Sequence, residues 1–304
     1  MTAPKLSVTA SGYSGRGYRN PWTGEVVPGI TTVLGAINQP AILQWSVDQV
    51  AAYAATIAED LVGRDEEQRF RMLRFYHSRA KESDFDDPLV DLHDAHTGVL
   101  NDLAELGTAV HSYVEADLNG WMDPDIFRPE QEQMVVAYLQ WRQEHDIEVH
   151  ATEASVFGQG YAGTADAFLK IDGVNTLLDV KTSRAVRDSH IAQLAALGAA
   201  HTMAREVPEG TEGAVGFKSR QSDKQFSSWW VAGDVPPIQQ YAVLQIRPDD
   251  YDKNGVFIPA FCEMHVIDQR QIDASFGLFE GALQIRHAQR KLKDVEKILQ
   301  KELF

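Results

Sequence analysis

The sequence contains one cysteine, Cys262, which excludes an internal disulfide framework and any zinc or iron–sulfur site built from four cysteines. Long apolar runs are also missing, because the longest apolar-rich stretch, residues 41–58, is interrupted by polar side chains. The first residues, from Met1 to Lys5, lack the basic and apolar sections of a signal peptide. These absences predict a cytoplasmic protein that does not contact a membrane.

Positive charge is scarce in this chain. Lys and Arg number 28 against 44 Asp and Glu, which gives a formal net charge of −16 at pH 7. Such a balance opposes non-specific attraction to a polyanion such as DNA. A nucleic-acid enzyme with this composition must concentrate its basic residues locally and recruit metal cations.

The apolar pattern divides the chain into two sections that we expect to form one continuous domain. Residues 1–145 are predicted to be mainly helical, whereas residues 146–304 are predicted to form a sheet with a helix at 187–205 and a long final helix at 269–303. Residues 206–237 are rich in Gly, Pro, Ser and charge, which indicates an insertion that leaves the core. The expected strands are 147–156, 164–171, 176–182, 241–247 and 256–266. The predicted fold class is α/β or α+β, with a mixed central sheet flanked by helices.

The most informative segment is a predicted acidic hairpin. Asp172-Gly173 between two alternating apolar runs is a strong signal for a β-hairpin. A two-residue turn would place Asp166 opposite Asp179, and a four-residue loop would place Asp166 opposite Lys181. In either register these three side chains share one face of the hairpin, because strand side chains alternate with a period of two.

Two carboxylates directly across a ladder repel each other, and this cost is understandable if a divalent cation lies between them. Mg²⁺ takes oxygen ligands, usually one or two carboxylates with water and substrate phosphate. Lys181 could then orient or deprotonate an attacking water, or neutralise charge in the transition state. For a short Asp-x-Lys motif alone, a solvated face held by an ion pair is the commoner explanation. The turn, the second Asp in register and the flanking Gly163 and Thr182-Ser183 favour a functional site.

A histidine upstream adds a second kind of ligand. His111 and Glu115 are four residues apart in a predicted helix, so they lie on one face. Imidazole is a common ligand of Mn²⁺ or Fe²⁺ and is less natural for Mg²⁺. A core histidine bonded to Glu115 is the alternative for His111 alone, but the acidic hairpin downstream favours a metal ligand.

Four segments in this order resemble the RecB-type branch of the PD-(D/E)XK nucleases, which includes phage exonucleases of the lambda-exonuclease kind and CRISPR-associated exonucleases. The segments are Gly107-Thr-Ala-Val-His111-x-x-x-Glu115, Gly163-Thr-Ala-Asp166, Leu178-Asp179-Val-Lys181-Thr-Ser and Gln193-Leu-Ala-Ala. Pro28-Gly-Ile-Thr-Thr-Val-Leu34 followed by Leu43-Gln-Trp45 is also similar to phage members of that group. The motifs together cover about residues 28 to 200, which is more specific than any single match.

The resemblance implies a restriction-endonuclease-like core with a bound Mg²⁺ or Mn²⁺ ion. It implies that His111, Asp166 and Asp179 are metal ligands and that the carbonyl of Val180 assists them. Glu153 matches a further acidic position of the family. CRISPR-associated members often carry four cysteines for an iron–sulfur cluster, which this chain cannot hold in that way.

The resemblance also assigns residues to the reaction itself. It implies that Lys181 is the catalytic lysine, that Glu115 is a supporting acid and that Gln193 is the glutamine that helps to hold substrate. The tyrosine that follows this glutamine in the family motif is Leu197 here, so that part of the substrate contact is not expected.

The implied activity is metal-dependent hydrolysis of DNA by an exonuclease, with a role in phage DNA recombination or processing in the host cytoplasm. An endonuclease or flap-cutting nuclease with the same site is one alternative, and a non-catalytic protein that binds DNA ends or another protein is a second. The expected partners are DNA, a single-strand annealing or recombination protein, and further copies of this chain.

Basic residues that alternate with aromatic residues are the candidates for DNA contact. Residues 64–81, with Arg69, Arg71 and Arg74, fit a DNA-binding helix and a solvated helix face equally well. Between 218 and 230, substrate contact is favoured over a buried tryptophan pair for Lys218, Arg220, Lys224, Trp229 and Trp230. The run 286–301 mixes basic and acidic residues, which favours a solvated face or an oligomer contact over a DNA track.

Overall fold

The computed structural model describes residues 6–9, 16–37, 68, 88–121, 129–221, 224–252 and 254–302. The chain divides into two compact units. The first unit comprises Met1–Ile37 and Ala109–Phe304, and the second comprises Asn38–Thr108. The candidate site residues from His111 to Gln193 all belong to the first unit. The predicted basic helix at 64–81 lies outside the described residues except for residue 68.

The described residues form five helices. They are α1 (Ile30–Leu34), α2 (Pro88–Asn119), α3 (Pro129–Gln143), α4 (Asp188–Gly198) and α5 (Gln269–Glu302). Pro129 at the start of α3 occupies the first turn, where a missing N–H costs nothing. Among these described helices, none combines the length and the apolar content that a membrane crossing requires.

An eight-stranded mixed sheet is the centre of the first unit. Its strands are β4 (Ile147–Gly158), β5 (Tyr161–Ile171), β6 (Val174–Lys181), β7 (Thr202–Val207), β8 (Val215–Gln221), β9 (Lys224–Gly233), β10 (Gln240–Arg247) and β13 (Phe261–Ile267). Their order across the sheet is β13-β10-β6-β5-β4-β7-β9-β8. Neighbours are antiparallel except for β6 and β10, which are parallel. The prediction of a mixed sheet flanked by helices is therefore confirmed.

Two small sheets complete the described strands. The first is antiparallel and contains β1 (Ser7–Thr9), β2 (Arg16–Arg19) and β3 (Val26–Pro28). The second is the hairpin of β11 (Asp250–Tyr251) and β12 (Phe257–Ile258), which lies between β10 and β13 in the chain.

The turn between β5 and β6 fixes the register of the acidic hairpin. Asp172 and Gly173 have φ values of 49° and 87°, and Ile171 pairs with Val174. Positive φ at both central residues is typical of a two-residue hairpin turn, which matches the twist of the flanking strands. The carboxylate of Asp172 also accepts a hydrogen bond from the backbone N–H of Asp146 at 2.9 Å. Of the two registers that the sequence left open, the structure has the two-residue turn.

The main core lies between the sheet and helices α1, α4 and α5. Phe168 on β5 and Leu177 on β6 are fully buried there with Val33 of α1, Leu194 of α4 and Phe279 of α5. These apolar side chains hold α4 over the same part of the sheet that carries the acidic residues. The core therefore packs the strands that carry the candidate site against helix α4.

The structure differs from the sequence-based prediction after residue 198. The helix predicted at 187–205 ends at Gly198, and residues 202–207 form strand β7. The predicted insertion at 206–237 contains β8 and β9, which extend the central sheet at its edge. Gly and Pro are concentrated in its turns, whereas Phe217 and Trp230 are buried in a second apolar cluster. Composition averaged over this segment therefore concealed two strands.

Gly158 provides a test of how tightly the core is filled. A Cβ atom at this position would overlap the ring of Tyr161. That ring is buried, lies edge-on to Phe279, and donates a hydrogen bond from its hydroxyl to the Ala196 carbonyl at 2.9 Å. We expect Gly158→Ala to lower the free energy of unfolding by about 1–3 kcal/mol, because the ring must leave this position.

Urea denaturation measures this change, and Gly277→Ala is the matched control. Apart from the backbone of its own helix, no described part of the chain comes within 4 Å of a Cβ built at Gly277, which is inside helix α5. The control should raise stability by about 0.5–1 kcal/mol, because alanine is the better helix former. Equal effects of the two substitutions would show that the Tyr161 ring is free to move.

Candidate metal centre

Asp166 lies on β5 at the point where the hairpin register brings it opposite Asp179. The described pairs end at Ala167 with Leu178, and the same register continued by one residue pairs the two aspartates. One carboxylate oxygen of Asp166, Oδ2, accepts a hydrogen bond from the backbone N–H of Val180 at 2.7 Å. This bond holds the Asp166 side chain against β6, between Asp179 and Lys181.

Asp179 is completely buried and forms an ion pair with Lys181. The Lys181 Nζ lies 2.6 Å from Oδ2 of Asp179 and donates a hydrogen bond to the Val180 carbonyl at 3.2 Å. The other carboxylate oxygen, Oδ1, accepts no hydrogen bond from the part of the chain that the structure describes. Burial raises the pKa of Asp179, and Lys181 opposes this effect. A solvated hairpin face is therefore excluded for Asp179.

Glu153 on β4 occupies the neighbouring position on the other side of Asp166. The pairs Thr152 with Ala167 and Ala154 with Ala165 place Glu153 opposite Asp166 in the β4–β5 register. Its φ is 45°, a left-handed conformation that costs a residue with a side chain about 1–2 kcal/mol. Burial raises the pKa of Glu153 to about 8, and the charges of Asp166 and Glu115 add to this effect. Such strain persists only where the surrounding structure imposes it, and it is concentrated at functional sites.

His111 completes a group of three metal-capable side chains. Its Nδ1 lies 3.6 Å from Oδ2 of Asp166. Burial lowers the pKa of the His111 imidazole, although the charge of Asp166 opposes this effect. A lowered pKa favours the neutral ring, which is the form that binds metals. His111, Glu153 and Asp166 each offer a ligand atom, and these atoms all lie within 4.8 Å of one another.

Asn119 fixes the helix that carries His111. Its side-chain amide donates to the Glu115 carbonyl at 2.7 Å and to the Thr152 hydroxyl at 2.8 Å. The second bond ties α2 to β4 at the residue next to Glu153. His111, Glu115 and Asn119 are spaced by four residues, so they lie on one face of α2, and the sequence predicted this for His111 and Glu115. Burial raises the pKa of the half-buried Glu115 carboxyl, whose charge also acts on Glu153.

The residues present fit a divalent cation. Glu153, Asp166 and Asp179 bring three carboxyl groups to adjacent strands, and the described positive charge beside them is that of Lys181. The buried Oδ1 of Asp179 lacks a hydrogen bond from described residues, and an unsatisfied buried oxygen of this kind is costly. Carboxylates suit both Mg²⁺ and Mn²⁺, and the one imidazole suits Mn²⁺ better than Mg²⁺.

The structure shows no hydrogen bond or ion pair between the metal-capable group and the other residues predicted to bind substrate, among the residues that it describes. Gln193 lies half-buried on α4, and in the described part of the chain no hydrogen bond or ion pair joins it to the metal-capable group. Trp230 is buried and donates from its indole N–H to Ser228 at 2.7 Å, so its ring is not open to a base here, whereas Trp229 is half-buried.

The predicted basic contacts mostly fall beyond what the structure describes. Lys218 and Arg220 lie on β8, and Lys224 lies on β9, at the edge of the sheet, with side chains outside the described part. Arg69, Arg71 and Arg74 lie outside the described residues altogether, so their proposed contact with DNA stays a prediction.

Two residues near Lys181 were missed by sequence reasoning. Burial lowers the pKa of His190 to about 4, and the charges of Lys181 and Arg187 add to this effect. His190 also caps α4, because its Nδ1 accepts a hydrogen bond from the Arg187 N–H at 3.2 Å. The available signal was its position three residues before Gln193, on the same helix face.

Gln245 is the second missed residue. It is buried opposite Lys181 in the parallel ladder of β6 and β10. Its amide donates to the Ser183 carbonyl at 2.7 Å, and its oxygen contacts the His265 ring at 3.0 Å. Gln245 therefore fixes the chain just after Lys181. A polar residue inside an apolar strand pattern was the available signal.

No family model matches this chain, and no curated protein matches it.

The raised pKa of Glu153 predicts how the metal-free protein responds to pH. The ordinary value is 4.5 and the value in the fold is about 8, so the folded protein binds this proton more tightly than the unfolded chain. The resulting stabilisation is complete below about pH 4.5 and is lost as the pH rises to about 8. We expect Glu153→Gln, which stays neutral, to gain melting temperature over the wild type from about pH 5 to about pH 8 in chelator.

Thermal unfolding of both proteins at several pH values checks this expectation. Glu148→Gln is the matched control, because Glu148 is an exposed acid on the same strand. The control should follow the wild type across the range. If the melting temperatures of Glu153→Gln and the wild type differ by the same amount at every pH, ionisation of Glu153 does not destabilise the fold.

The left-handed backbone of Glu153 predicts a difference between two neutral variants. Asn tolerates this conformation better than Gln, because its short side chain bonds locally to the backbone. We expect Glu153→Asn to be more stable than Glu153→Gln by about 1 kcal/mol in chelator. Urea denaturation at one pH gives the comparison, and Glu148→Asn against Glu148→Gln supplies the same pair on extended backbone. A similar gain at both positions would contradict strain at Glu153.

Proposed function

We propose that this chain is a metal-dependent deoxyribonuclease with a PD-(D/E)XK core, and that it hydrolyses phosphodiester bonds from DNA ends. The observation that carries the proposal is the convergence of His111, Glu153 and Asp166 within 4.8 Å, beside the buried pair of Asp179 and Lys181. The order of these residues along the chain supports it as well. An exonuclease is favoured over an endonuclease by the resemblance to the RecB-type branch, and a role in phage DNA recombination or processing rests on the same resemblance.

His111, Glu153, Asp166 and Asp179 are the residues that would hold Mg²⁺ or Mn²⁺. When bound, such an ion polarises a phosphate oxygen and lowers the pKa of a water molecule, which makes the water a nucleophile near neutral pH. The protein supplies a set of ligands whose positions are fixed by three adjacent strands and by the Asn119 tether. Ligands fixed in advance need little reorganisation when substrate arrives.

Lys181 supplies the fixed positive charge of the site. Its ammonium group is held by the Asp179 carboxylate and by the Val180 carbonyl. A group in this position can donate hydrogen bonds to the attacking water or to a phosphate oxygen, and it can stabilise the negative charge that develops during hydrolysis. Gln245 holds the next turn of the chain, so Lys181 is kept near the carboxylates.

Electrostatics also explains why the site needs added cations. The chain carries a net charge of −16, and the metal-capable group is itself acidic. A DNA phosphate approaching Asp166 and Glu153 without a counter-charge would be repelled. Divalent cations reverse the sign of the local potential, so an acidic protein can act on a polyanion at this point.

An assay with end-labelled linear DNA and closed-circular DNA tests the proposal. We expect linear DNA to be lost with Mg²⁺ or Mn²⁺ and to be preserved in chelator, while circles survive. Asp179→Asn should reduce the rate by about 100-fold or more, because one charged partner of the site is lost. Glu148→Gln, an exposed acid on the same strand as Glu153, should keep the wild-type rate.

A second measurement separates metal binding from hydrolysis. Metal should raise the melting temperature of both the wild type and Lys181→Met, because neither lacks a proposed ligand, but the variant should not cut DNA. Cleavage of circles would favour an endonuclease with this site. DNA-end binding without hydrolysis, with no metal-dependent gain in melting temperature, would favour the non-catalytic alternative.

A further inference from the structure

Helix α5 has two opposite faces, and one of them is apolar but exposed. Ile272, Phe279 and Ala282 are buried against the core. On the other side of the helix, four large apolar side chains are each between 45% and 64% exposed. They are Leu278, Ile285, Leu292 and Leu299. The core of the first unit therefore does not account for this second face.

The exposed residues follow a strict seven-residue spacing. Leu278, Ile285, Leu292 and Leu299 succeed one another at steps of seven, and Ala288 and Val295 stand three residues after Ile285 and Leu292. This is the a and d pattern of a heptad repeat, which predicts pairing with another helix in a left-handed supercoil. We call Leu278, Ile285, Ala288, Leu292, Val295 and Leu299 the α5 stripe.

The last part of α5 lacks cover on every described side. All side chains from Lys291 to Glu296 are exposed, and so are Ile298 and Leu299. A helical segment of this length is marginally stable alone in water. Its stripe residues Leu292 and Val295 also expose apolar surface to solvent. Both problems are removed if a second helix lies along the stripe.

The charged residues beside the α5 stripe indicate which helix can pair with it. With Leu292 at an a position, Lys291 occupies position g and Glu296 occupies position e of the following heptad. In a parallel two-stranded coiled coil, each g residue faces the following e residue of the partner. Two copies of α5 in parallel would therefore bring Lys291 of each chain beside Glu296 of the other. In an antiparallel pair, by contrast, residues at position g face one another, which would not join these opposite charges.

We propose that the α5 stripe is a parallel two-stranded coiled-coil contact between two copies of this chain. The contact is self-complementary, as a two-fold symmetric dimer requires, and each body lies on the outer side of its own helix. It spans about 32 Å from Leu278 to Leu299 at 1.5 Å per residue. This proposal does not depend on the nuclease function. If both hold, each assembly carries two metal centres.

Sedimentation of the full chain over a range of concentrations tests the dimer. We expect a mass of twice the 33.9 kDa of one chain. Leu292→Lys should raise the dimer dissociation constant by at least about tenfold, because it places a charge at the centre of the contact. Val136→Lys is the matched control, since Val136 is an exposed apolar residue on helix α3 and should leave the mass unchanged.

A charge exchange tests the parallel arrangement. Lys291→Glu should weaken the dimer by a few-fold, because two carboxylates then face each other, and adding Glu296→Lys to it should restore the wild-type association. A monomer at all concentrations would overturn the proposal, as would a dimer that survives Leu292→Lys. An assembly of three or more copies, or a charge exchange that fails to restore association, would also overturn it.

Discussion

The crowding of carboxyl groups on three adjacent strands is the constraint on which the rest of the site depends. Glu153, Asp166 and Asp179 occupy neighbouring positions across β4, β5 and β6, and each strand register is needed to bring them together. Burial raises the pKa values of Glu153 and Asp179, and the charge of Asp166 adds to this effect, so ionisation of these carboxyl groups opposes folding. Elements of different kinds hold the arrangement against this cost: the Asp172-Gly173 turn, the Asn119 tether and the ion pair of Lys181 with Asp179. A sheet that served only stability would not keep such an arrangement.

The local sequence predicted the hairpin of β5 and β6, but it did not predict how β4 pairs with β5. Asp172-Gly173 predicts a hairpin, and period-two alternation places Asp166, Asp179 and Lys181 on one face in either register, although the sequence did not decide between the two registers. Glu153 depends instead on the pairing of β4 with β5, where the register shifts between Val149 and Ala151. Without that irregularity, Thr152 would stand opposite Asp166. A single extra residue in a strand leaves little trace in the sequence, so the fourth acidic candidate could be assigned only by resemblance.

Residues from distant elements were the hardest to predict. His190 reaches the neighbourhood of Lys181 only because α4 is packed over the sheet, and Gln245 lies opposite Lys181 only because β10 is parallel to β6. Both contacts need the crossover connections of the whole fold, which periodicity along the chain does not encode. The segment at 206–237 shows a different error, in which strands were overlooked because of the average composition. Its turns contributed most of the Gly and Pro, and averaging over them hid the apolar residues, such as Phe217 and Trp230, that are buried on β8 and β9.

If the proposed cation binds, the acidic centre links the folding of the chain to cation binding. A metal ion that binds Glu153, Asp166 and Asp179 in the folded state, and not in the unfolded chain, adds its binding free energy to stability. The same ion would offset the negative charge of Asp166, which adds to burial in raising the pKa values of Glu153 and Asp179. Above neutral pH, ionised carboxylates destabilise the metal-free fold most, so the stabilising effect of the ion should be greatest there. Helix α5 lies outside this linkage, since its exposed stripe carries no residue of the metal-capable group, and dimerisation can therefore stabilise the chain whether or not the centre is loaded.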